Sequence, residues 1–118
     1  MAIAVFDNPY PERHYQVTIR WPELKDFDEH NNNILHGLLF VEYIPDRFCL
    51  NRESLRNYLE DLVESDLLDQ KTLNRLLADL VNSCKPRQLE IIYAPESDRF
   101  SKTALRRSYR RNDPRTEE

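Results

Sequence analysis

A chain of 118 residues, 40% apolar and 32% charged, has room for one core and one domain. Its formal charge of −4 is unevenly divided, with seven basic and four acidic side chains in residues 98–118 and ten against seventeen in residues 1–97. An acidic body with a basic tail excludes a protein that binds nucleic acid over its whole surface.

No apolar run approaches the roughly 18 residues of a membrane span, and MAIAVFDNPY has neither the basic start nor the apolar stretch of a secretion signal. A cytoplasmic location is therefore expected. Cys49 and Cys84 are too few for a disulfide framework and lack a C-x-x-C spacing. Each borders an apolar periodic segment, which favours a small buried hydrophobe over a reactive thiol.

In chain order, HYQVTIRW (14–21) alternates, with Tyr15, Val17, Ile19 and Trp21 on one face and Gln16, Thr18 and Arg20 on the other. It reads as a half-buried strand that ends at Pro22. Residues 24–34 are polar and rich in Asp and Asn, a loop. LHGLLFVEYIP (35–45) reads as a more buried strand closed by Pro45, and Gly37, the only glycine, marks a bulge or close backbone approach within it.

From Asn51 the period becomes helical, with Leu55, Leu59, Leu62 and Val63 on one stripe and Asn51 as the cap. A second helix is expected from about Asp69, with Leu73, Leu76, Leu77, Leu80, Val81 and Cys84 on one stripe and Pro86 as its stop. RQLEIIYAP (87–95) and SKTALRRSYRR (101–111) read as third and fourth strands. The predicted order is ββααββ, an α+β domain over residues 1–111 with an antiparallel four-stranded sheet and both helices on one face, followed by a loose polar tail, 112–118.

The stretches FDNPYPERHYQVTIRWPEL, VEYIPDRFCLNRESLRNYL and LNRLLADLVNSCKPRQLEI resemble the queuosine-pathway nitrile reductases. The likeness runs from Phe6 to Tyr93, after which PESDRF stands where the family has a Pro-Arg-Gly-Gly turn. The resemblance implies the tunnelling fold shared with GTP cyclohydrolase I. It also implies a family activity in which NADPH reduces 7-cyano-7-deazaguanine.

The same register departs from the family at its functional positions. The nucleophilic Cys position is Asp28 and the later catalytic Asp position is Leu35. A thioimide needs a thiolate to attack the nitrile carbon and an acid to protonate it, and neither residue supplies these. The cofactor motif falls on residues 51–58, where Ser54, Leu55 and Tyr58 match and Arg56 is a basic substitute. Asn51 replaces Glu, and Glu53 reverses the charge of a Lys. The substrate-binding His-Glu pair becomes Asp69-Gln70. These changes point to a pseudoenzyme with no cofactor, serving as a binding, scaffolding or assembly component in a homo-oligomer or with a partner protein.

Two alternatives stand beside that expectation: an enzyme of the same pathway whose active site is relocated or completed by another chain, and a binder of purine- or pterin-like heterocycles through Gln70. An amide offers both a donor and an acceptor to such a ring, although a solvent-facing Gln is the plainer reading. Asp28, Glu29, His30 and His36 match no metal-ligand spacing, so a solvated loop is preferred and no metal is expected. Arg106, Arg107, Arg110 and Arg111, with Tyr109 among them, offer a basic patch for RNA or an acidic partner, but an edge strand guarded by charge explains the same residues.

Overall fold

A computed structural model describes residues 3–21, 38–65, 69–94 and 104–111, the side chains of 63–65 excepted. The elements run β1 (Val5–Asp7), β2 (Val17–Trp21), β3 (Leu38–Ile44), β4 (Phe48–Leu50), α1 (Arg52–Ser65), α2 (Gln70–Cys84), β5 (Gln88–Ala94) and β6 (Leu105–Arg110). The α+β class and antiparallel pairing match expectation, but the order ββααββ does not. Two three-residue strands, β1 and β4, pair as a separate antiparallel ribbon, Val5 opposite Leu50 and Asp7 opposite Phe48. Three residues are too short for alternation to register in sequence.

The main sheet has the order β2-β3-β5-β6, antiparallel throughout. Its register aligns Ile19, Val41, Ile91 and Arg107 in one row and Trp21, Leu39, Tyr93 and Leu105 in the next. Directly opposed residues share a face, and in these rows Ile19, Trp21, Leu39, Val41 and Ile91 belong to the core with Leu55, Leu59 and Leu62 of α1 and Leu73, Leu76 and Leu80 of α2. The other face carries Thr18, Glu42, Glu90 and Ser108 in one row, and Arg20, Phe40, Ile92 and Arg106 in the next. That face is mixed: Arg20 is exposed, Phe40 half-buried and Ile92 wholly buried.

The strand expected over 14–21 is shorter. Tyr15 lies before β2, and its hydroxyl turns to Asn8 instead of joining the Val17–Ile19–Trp21 face. The strand expected over 35–45 is described as Leu38–Ile44; the Gly37 reading falls outside the described residues, as do Pro22, the 24–34 loop, 101–103 and the 112–118 tail. β6 begins at Leu105.

The helices end as their sequences indicate. Asn51 precedes α1, and its Oδ1 accepts from Ser54 N at 2.8 Å. Asp69 caps α2, its Oδ1 accepting from Thr72 N at 2.9 Å. α2 closes on Lys85 in the left-handed region, φ 48°, with Lys85 N donating to Val81 O, and buried Pro86 follows. No described helix is long and apolar enough to cross a membrane.

Candidate functional site

Residues 51–58 of the expected cofactor motif lie at the start of α1, where several of them hold the fold together. Asn51 N donates to Ala4 O at 2.9 Å, and Ser54 Oγ accepts from Ala4 N at 2.8 Å, so both fix the chain just before β1 to α1. Tyr58 is buried, and its hydroxyl donates to the Asp79 carboxylate on α2. Burial first, then that bond and the Asp79 charge, hold the Tyr58 phenol above its ordinary range. Glu53 is exposed on the first turn, and Arg56 is half-buried with partners of its own.

The expected ligand-binding pair sits at the start of α2. Asp69 is committed as the cap, and the hydrogen bond from Thr72 N holds its carboxyl below the ordinary value. Gln70, the first helical residue, is exposed. The Tyr58–Asp79 bond joins the middle of α1 to the second half of α2, and only four residues separate the two helices, so they run antiparallel. Gln70 and the motif at Asn51 therefore lie at opposite ends of the pair, roughly 20 Å apart at ~1.5 Å per residue. Within one chain they do not form a common site.

Asp28 and Leu35, the positions that should carry the nucleophile and the acid, lie outside the described residues, as do Glu29, His30 and His36. Among the described residues no group of three or more His, Cys, Asp and Glu could hold a metal. Both cysteines are free and buried. Burial pushes the Cys84 thiol up to about 12, with neighbouring Cys49 adding to the shift. Such a thiol stays protonated at neutral pH, as the reading of a small hydrophobe requires.

The basic patch at the C-terminal strand is largely engaged within the chain. Arg107 Nε donates to Asn74 Oδ1 at 2.6 Å, and a second nitrogen donates to Arg106 O at 2.6 Å. Arg106 faces Glu90 at 3.9 Å. Arg111 donates to Asp46 Oδ2 at 2.7 Å and to Lys85 O at 2.7 Å. Arg110 also has an interaction partner. Among the described residues β6 lies at an edge of the sheet, and Arg106, Ser108 and Arg110 are exposed on the face away from Arg107 and Tyr109. The guarded-edge reading fits these contacts better than a free cationic surface.

Sequence reasoning did not single out the cluster on the β3–β4 turn. Asp46 accepts from both Arg87, at 3.3 Å, and Arg111, while Asn8 Nδ2 donates to Asp46 O at 2.7 Å. The hydrogen bonds and charge of Arg111 and Arg87 lower the Asp46 carboxyl against a smaller opposing effect of burial. The partners are separated by 38 to 65 residues, so no local spacing could disclose them.

Residues 36–97 match the family model described as QueF-like protein. Among named relatives, the NADPH-dependent 7-cyano-7-deazaguanine reductase of Chlorobaculum tepidum is 34% identical over 89 residues, covering 75% of this chain and 76% of its own length. The reductase of the same name from Chlorobium phaeovibrioides is 33% identical over 89 residues, covering 75% and 77%. That of Nitrosococcus oceani is 32% identical over 89 residues, covering 75% and 69%. The matched region runs through β3, both helices and β5, the elements that carry the core, and this chain belongs to the QueF-like protein family.

Proposed function

We propose that this chain is a diverged QueF-like protein of the tunnelling fold that does not reduce nitriles, and that it acts as a binding or assembly component through an oligomer or a partner protein. The observation that carries this reading is the state of the motif at α1. Of the side chains that match the family motif, Tyr58 gives its proton to Asp79, Ser54 Oγ accepts from Ala4 N and Leu55 is core, while Asn51 is the helix cap. These residues fit NADPH poorly: Glu53, exposed where the family has a Lys, opposes a phosphate, and the Tyr58 proton is already given to Asp79.

The catalytic positions add support. Asp28 cannot form the thioimide that a thiolate forms, and Leu35 cannot move a proton. Assembly is supported by the open sheet. β2 and β6 are edges among the described residues, and the face away from the helices mixes Phe40 and Ile92 with Glu42, Glu90 and arginines.

Purified protein given 7-cyano-7-deazaguanine and NADPH should consume no NADPH and gain no mass. Turnover, or a covalent adduct on either cysteine by intact mass, overturns the inactive reading.

Gln70 favours a second reading, a neutral or cationic planar heterocycle held at the start of α2, because its amide is exposed and offers both donor and acceptor. Calorimetry with purines and pterins should give binding that Gln70→Ala weakens and Cys49→Ala leaves alone. Binding unchanged by Gln70→Ala rejects that site.

A further inference from the structure

The segment between β1 and β2, residues 8–16, contains no helix or strand, and the bonds that tie it down converge on one place. Asn8 N donates to Arg47 O at 2.9 Å and Asn8 Nδ2 to Asp46 O at 2.7 Å. Asn8 Oδ1 accepts from Tyr10 N at 3.0 Å and from the Tyr15 hydroxyl, which ties the two ends of the segment together. Arg87 donates to Pro11 O at 2.6 Å with the same nitrogen that meets Asp46 Oδ1. Arg111 takes the other Asp46 oxygen.

Beneath the segment lies Cys49. Alternation along β4 sends Phe48 and Leu50 toward the core, where both pack, and sends Cys49 the opposite way. Its cross-strand neighbour on that outer face, Phe6, is 49% exposed, yet Cys49 is only 5% exposed. Tyr15 is part of its cover, its hydroxyl lying 3.8 Å from Cys49 Sγ, while core Tyr43 and Cys84 lie near enough on the other side to feel its charge. Because the Tyr15 proton is given to Asn8 Oδ1, the Cys49 thiol is the donor in that contact.

We infer that residues 8–15 are a lid over the Cys49 thiol, held shut by the bonds of Asn8 to the β3–β4 turn and of Arg87 to Pro11, with the Asp46 carboxylate, itself held by Arg111, keeping Arg87 in place. Opening the lid breaks a handful of hydrogen bonds and leaves both sheets and both helices intact, so it is a local event. It delivers to solvent a thiol mounted on a paired strand. The inference rests on these contacts alone and is independent of the functional reading above.

Timed iodoacetamide labelling of the full chain, with each cysteine resolved by mass, tests it, and Cys84 in the core is the internal reference. Asn8→Ala and Arg87→Ala, which remove the side-chain bonds that hold the segment, should each speed labelling of Cys49 by about tenfold, with Cys84 unchanged. Tyr15→Ala should speed Cys49 further still. Equal acceleration at both cysteines, or none at Cys49, overturns the lid. Should those variants fail to fold, Tyr15→Phe, which keeps the ring and removes its bond to Asn8, gives the same readout. A Cys49 rate unchanged by Tyr15→Phe then counts against the lid.

Discussion

Tyr58 is a motif position whose polar atom is committed to the fold. The phenol occupies the aromatic position of the motif, yet its ring is buried and its proton is committed to Asp79. Tyr58→Phe keeps the ring and removes that bond, so it should destabilise the fold by about 1 kcal/mol in urea unfolding. No change in midpoint would mean that the hydroxyl does not contribute to holding α1 against α2. Asn51 and Ser54 fit the same pattern, since their polar atoms satisfy backbone groups at the helix start and before β1. Residue identity at a motif position is thus a weak guide here; what the atom is bonded to decides its role.

At the scale of elements, α2 is the clearest case. Leu73, Leu76 and Leu80 are wholly buried on one stripe, and Leu77 beside them is half-buried. Leu76→Ala should therefore cost about 2–5 kcal/mol, and Leu77→Ala distinctly less, by denaturant unfolding. Equal losses would mean that the stripe is misassigned. Both helices were legible because a 3.6-residue period accumulates over 14 or 15 residues and each start carries an Asn or Asp cap. β1 and β4 were not, because three residues show no period. Tyr15 misleads because its alternation with Val17 begins in sequence before the backbone enters the sheet. Gln70 was placed correctly at the start of α2, since the cap at Asp69 fixes it. Its separation from Asn51 required the helix pairing, which no single stretch encodes.

The whole molecule is closed at one end by charges that sequence spacing cannot pair. Asp46 on the β3–β4 turn joins the segment after β1, the start of β5 and the end of β6 through Asn8, Arg87 and Arg111. Its folded carboxyl is lowered from 3.8, chiefly by the hydrogen bond from Arg111, with Arg87 assisting. A carboxyl lowered on folding stabilises the native state above its unfolded value, and that contribution is lost as pH falls through the folded value. Stability of the unaltered protein should hold between pH 5 and pH 7 as far as this group is concerned, then decline below about pH 4. Asp46→Asn cannot titrate, so it should start less stable at neutral pH and lose less on acidification. Asp69, lowered by its cap bond to Thr72, leaves a residual acid slope that Asp69→Asn reduces, since Asn still caps. Urea midpoints measured at pH 7 and pH 3 decide the matter. Parallel losses in the unaltered protein and Asp46→Asn would show that the arginine pair adds nothing, whereas converging midpoints at pH 3 would place the acid sensitivity of the fold at this turn.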